Sequence, residues 1–242
     1  MDSSSELASA GAGAGTAYWI LFLQGLGNLF PWNTLITAAH YFRMRFCGAA
    51  YETGFENYFS VVTMLAQVCG LVLSLGYLEK LPLKWCVLLP LALSTAVMAL
   101  CTGLVALTGL SQDVLFAVTL LACALFGMNS AVSGGGIFGL SGCLPAEYTA
   151  AVMCGQGLGG VVVSLTSISS MYFSPAPVQS FCPGPAPAKE EDVDIGVSSE
   201  SGEEVCEVTV DHSALFFFAA CCVVLLLCFV TFFALLVLPF TM

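Results

Sequence analysis

The chain has 242 residues, 58% of them hydrophobic and only 9% charged, whereas soluble domains carry about 25% charged residues. That composition belongs to an integral membrane protein. Five basic residues against sixteen acids exclude nucleic acid as a partner, and the net charge of −11 is local, since nine of the acids lie between Glu190 and Asp211.

Taken in chain order, residues 1–15 form a small, polar, acidic tail with no basic stretch ahead of the first apolar run, so no cleavable signal peptide is expected. Six hydrophobic spans follow, at 16–41, 57–78, 85–110, 113–139, 149–173 and 213–238. Each is long enough for a membrane helix, which needs about 20 residues. The short alternating segments of a membrane β-barrel are missing. The expected fold is all-α, with six transmembrane helices embedded in the lipid bilayer: five over 16–173 and the sixth, with the C-terminus, over 213–242.

The first span contains Gly25-Leu26-Gly27-Asn28-Leu29-Phe30-Pro31-Trp32-Asn33. Pro31 has no amide hydrogen to give the Gly27 carbonyl, which predicts a kink where the helix is most polar. Such a helix serves either a substrate path or close packing around the proline, and the segment alone leaves both open. Asn33 is expected to hydrogen-bond the strained backbone rather than a ligand.

Two connections are longer than the rest. Arg43 to Glu56 is modest; residues 174–212 open with Pro175, Pro177, Pro183, Pro185 and Pro187 and continue into the acidic run, which reads as a disordered loop. The basic residues do not orient the bundle: Lys80 and Lys84 lie on one side, Arg43, Arg45 and Lys189 on the other. Most of the twelve cysteines sit within spans and act as small hydrophobes. Cys47, Cys182 and Cys206 lie in the two longer loops, and the sequence leaves open a disulfide between two of them if that side is extracellular. No Cys/His spacing suggests a metal site. The spans hold no paired acids, so neither an enzyme nor a cofactor is implied.

The second informative region runs from Asn129 to Gly160. Gly135 and Gly139, and Gly155 and Gly159, have the four-residue spacing that lets helix backbones approach closely. Asn129, Ser130 and Gln156 have no partner in lipid. On an isolated six-helix bundle, Asn28, Asn129 and Gln156 are therefore expected to face lipid and to favour association with a second chain.

At these residues the chain resembles a known family. Gly25-Leu26-Gly27 with Pro31-Trp32-Asn33, then Phe138-Gly139-Leu140, Pro145-Ala146-Glu147-Tyr148-Thr149-Ala150 and Gly155-Gln156-Gly157-Leu158, resemble helices 1, 4 and 5 of the equilibrative nucleoside transporters. The resemblance covers the N-terminal half of that architecture. It implies one half of a major-facilitator-like transporter, an N-terminal tail (1–15) in the cytosol and the 174–212 loop outside. With no acidic dileucine signal in the tail, it implies the plasma membrane. The implied activity is movement of nucleosides, or nucleobases, down their gradient. The alternative is a truncated, non-transporting membrane protein that associates with a full-length transporter. Trp32, Leu29 and Ile36 match positions that line the family's central cavity. Where the family often has Gln-Gly-Ser, this chain has Gly134-Gly135-Gly136, and Gly134 cannot make the family glutamine's contact to the base, so either a polar group such as Ser130 or Ser133 compensates or base selectivity differs. The family's charged sugar-binding residues lie on later helices, so transport is expected to need a second chain supplying them.

Overall fold

A computed structural model describes residues 3–77, 82–107, 109–173 and 212–237. Among these the chain forms seven α-helices: α1 (Ser3–Thr37), α2 (Ala39–Arg45), α3 (Phe55–Tyr77), α4 (Leu83–Ala106), α5 (Gln112–Gly142), α6 (Ala146–Phe173) and α7 (His212–Val237). The Pro-rich and acidic run of 174–211 lies outside the described residues. The protein is all-helical, and α3 to α7 are each long and apolar enough to cross a membrane; it is a multi-pass membrane protein.

The first helix departs from the sequence expectation in three ways. It starts at Ser3, inside the expected tail, and it closes at Thr37, with α2 continuing the chain after Ala38. It also carries too many polar residues to count among the five apolar spans. What makes it tolerable in a membrane is its position, because α1 packs against α5, α6 and α7. Gln24 is 2% exposed and its Nε2 donates to the Cys228 carbonyl of α7 at 2.7 Å. Thr34 is fully buried and returns its hydroxyl hydrogen to the Phe30 carbonyl at 2.9 Å. Both side chains find a partner inside protein, which hydrocarbon could not supply.

Close backbone contacts hold the bundle together. A Cβ on Gly25 would run into the Val152 carbonyl of α6, and one on Gly155 into the Phe22 carbonyl of α1. At Gly159 the Leu26 carbonyl would stand 3.2 Å away. Without a hydrophobic drive between helices in lipid, this approach maximises van der Waals contact. Gly135 is half-buried, whereas Gly139 is exposed and has nothing within 4 Å of where its Cβ would be. The α3–α5 seam uses Gly70, whose Cβ would meet the Met128 carbonyl at 2.8 Å, and Gly127, whose Cβ would strike the Thr63 carbonyl.

The connection from α2 to α3 is folded rather than loose. Phe46 is fully buried, stacks on Phe42 with centroids 5.8 Å apart and meets Phe55 edge-on at 5.5 Å. Tyr51 stacks on Phe116 at 4.1 Å, and its hydroxyl donates to Asp113 at 2.9 Å. Partial burial, and then the Asp113 carboxylate, raise the Tyr51 phenol above its ordinary value. Gly48 adopts φ 79°, a left-handed turn that suits glycine, and its amide donates to Glu52 at 2.7 Å. Cys47, in the same connection, is disulfide-bonded; Cys182 and Cys206 lie outside the described residues.

Candidate functional site

The polar stretch of α1 opens onto a cleft. Gly27, Asn28, Leu29, Pro31 and Trp32 form one wall and Thr63, Met64 and Gln67 of α3 the opposite one. Leu91 and Ser94 of α4, Phe126, Gly127, Ser130 and Ser133 of α5, and Leu225 of α7 complete the lining. The cleft measures about 60 Å³, room for a few water molecules, each needing roughly 10–15 Å³ on this measure. A whole nucleoside would have to extend beyond these helices.

The lining follows from helix geometry. Thr63 and Gln67 are four residues apart, so they share a face of α3, and the Thr63 carbonyl touches Gly127 of α5. On the far side, Ser133 donates its hydroxyl hydrogen to Asn28 Oδ1 at 2.7 Å, tying α5 to α1. Asn129 Nδ2 donates to Ser94 Oγ at 3.1 Å, tying α5 to α4. Asn28 and Asn129 therefore turn toward neighbouring helices, contrary to the expectation for an isolated bundle: each makes one interhelical bond, through Asn28 Oδ1 and Asn129 Nδ2. Gln156 is half-buried on α6 and forms no hydrogen bond with the described residues.

The polar groups of the cleft fall into two sets. Asn28, Ser133 and Ser94 are committed to each other or to Asn129, and Thr63 donates to the Phe59 carbonyl at 2.8 Å. Ser130 is different: its Oγ is buried and has no hydrogen-bond partner among the described residues. Gln67 is exposed at the middle of α3 and makes no hydrogen bond with the described residues.

Of the residues singled out from sequence, Trp32, Leu29, Ser130 and Ser133 line this cleft together. Ile36 does not; it is 44% exposed at the end of α1. Gly134 is buried behind the cleft, where a Cβ would stand 3.2 Å from Asn28 Nδ2. Asn33 makes no side-chain hydrogen bond with the described residues, and only its carbonyl is used, accepting from Thr37 at 2.7 Å. Sequence reasoning missed the α3 wall. The available signal was Gln67, an amide in the middle of the mostly apolar 57–78 run.

Residues 120–181 match the sequence profile of the Nucleoside transporter family, a stretch that starts within α5 and includes α6. Over 62% of its length the chain is 30% identical to the human Equilibrative nucleoside transporter 2, covering 36% of that protein. It is 35% identical to the Arabidopsis thaliana Equilibrative nucleotide transporter 1 over 63% of its length, covering 34% of that relative. Against the human Equilibrative nucleoside transporter 1 the identity is 28% over 64% of the chain and 40% of the relative. The chain thus spans little more than a third of the length of these curated relatives. With the matched profile on α5 and α6 and these similarities over most of its length, the chain is similar to the N-terminal part of the equilibrative nucleoside transporters.

Proposed function

We propose that this chain forms one half of a facilitated-diffusion pathway for nucleosides, or nucleobases, in the plasma membrane. Trp32 offers the base a stacking face. Leu29 walls the cleft beside it, Ile36 continues the same helix toward the rest of the substrate, and Ser130 offers an uncommitted hydroxyl. Ser133 and Gly134 act indirectly, by holding Asn28 in place. The observation that carries the reading is the cleft itself: an aromatic, a proline and unpaired polar groups meet inside a bundle of apolar helices, where polar surface is costly unless something uses it. The relatives, named as nucleoside and nucleotide transporters, supply the substrate class.

Transport requires a second bundle, because alternating access rocks two bundles about a site between them. The small volume of the cleft supports that requirement. The internal pairing of Asn28, Asn129 and Gln24 favours a second reading as well: a bundle whose main polar groups are satisfied could persist in the membrane without transporting, bound to a full-length transporter.

The test uses the full purified chain. In nanodiscs it is expected to bind adenosine and uridine, and in liposomes to show no saturable uptake of either above empty vesicles. Failure to bind any nucleoside overturns the substrate assignment. Saturable uptake that unlabelled nucleoside competes away overturns the need for a second bundle.

A further inference from the structure

The cleft holds more polar atoms than it leaves available. Asn28 and Ser133 are bonded to each other, Ser94 accepts from Asn129, and Thr63 is bonded within its own helix. A ligand competing for Asn28 Oδ1, or for the hydroxyl hydrogens of Ser133 and Thr63, must break a bond already made, which leaves a group unsatisfied. Among the lining hydroxyl and amide side chains, two make no hydrogen bond with the described residues, Ser130 and Gln67. Of the two, only the amide offers a donor and an acceptor side by side in one plane.

The setting of Gln67 is also distinctive. It lies midway along α3, a helix otherwise rich in Val and Leu that exposes Val61, Leu65, Val68, Leu71 and Val72 to its surroundings. An amide at that depth is costly in hydrocarbon and tolerated where it lines a polar cleft. Its place there is set by backbone contact, since Thr63, one turn earlier on the same face, touches Gly127 of α5 with its carbonyl.

We infer that Gln67 is the specificity-determining residue of the cleft, reading the edge of a base that presents a donor beside an acceptor while Trp32 stacks on the ring. The inference rests on the nucleoside reading above and adds to it the class of base. Glutamine amides pair in this two-bonded way with adenine, through its exocyclic amine and N7. A purine lacking the exocyclic amine keeps the stacking surface and loses one of the two bonds.

The test is a binding comparison of adenosine and purine riboside, which lacks that amine, on the full chain in nanodiscs. The wild type is expected to prefer adenosine by about tenfold, the order of one hydrogen bond to a site built for it. In Gln67→Leu the preference disappears, because adenosine loses both bonds and purine riboside only one. Gln67→Met, close to glutamine in shape and without the amide, does the same and serves if the leucine variant folds poorly. Equal binding of the two ligands by the wild type, or the same preference in wild type and variants, overturns the inference alone. An equal loss for both ligands in a folded variant assigns Gln67 to packing and also overturns it. No binding of either nucleoside by the wild type removes the nucleoside reading, and the inference with it.

Discussion

Trp32 is half-buried, with part of its ring against the core and part on the cleft. If the open face stacks on a base, Trp32→Ala should weaken nucleoside binding by about 1–3 kcal/mol, the range for base–aromatic stacking, while Trp32→Phe retains most of the affinity. Titration of nucleoside into the purified variants checks this, with surface expression as the control for folding; unchanged affinity in folded Trp32→Ala makes the residue a packing element. A second residue-scale expectation concerns Tyr51. Its phenol is raised, first by burial and then by Asp113, so the folded state holds the proton more tightly than the unfolded chain. The corresponding stability is present below the ordinary phenol pKa and is lost as pH rises through the folded value. Tyr51→Phe should flatten that alkaline loss in a thermal-denaturation series.

Between elements, contact with a facing backbone separates the glycines more sharply than their spacing does. Gly155→Leu and Gly25→Leu should sharply reduce folded protein, because each added side chain meets a carbonyl of the facing helix that has no room to retreat. Gly159→Leu should have a smaller effect in the same direction, and Gly139→Leu should be tolerated, since its Cβ would meet open space. Monodisperse yield in detergent reads all four, and a severe loss at Gly139 would mean that this face packs on another chain. The four-residue glycine spacing was legible in the sequence. Which glycine faces a backbone was not, because that depends on how two helices are rotated about their axes.

For the whole molecule the question is orientation. The disulfide at Cys47 favours an oxidising compartment on the side of the α2–α3 connection, which agrees with the proposed placement of the 174–212 loop outside. An epitope inserted near Ser199 is then accessible on intact cells, and labelling only after permeabilisation would reverse the topology. An impermeant maleimide should label Cys47 only after reduction. The chain has four asparagines, Asn28, Asn33, Asn57 and Asn129, and none begins an Asn-x-Ser/Thr acceptor, so N-linked sugar is not expected to mark either side.

The sequence by itself determined the class of the protein and most of its helices. Apolar runs of span length declare themselves through composition, and the last five expected spans lie within a few residues of α3 to α7. It also brought Trp32 and Ser130 forward, because an aromatic beside a proline and polar groups among glycines are conspicuous in an apolar chain, and the family resemblance added Leu29 and Ser133. The tertiary structure decided which polar groups are free. Ser133 and Ser130 look alike in sequence, yet one is bonded to Asn28 and the other has no partner among the described residues. Likewise Gln24 is locked onto α7 while Gln67 opens into the cleft. A hydrogen bond between residues a hundred positions apart exists only once two helices have met at a particular rotation, and local sequence carries no record of that angle.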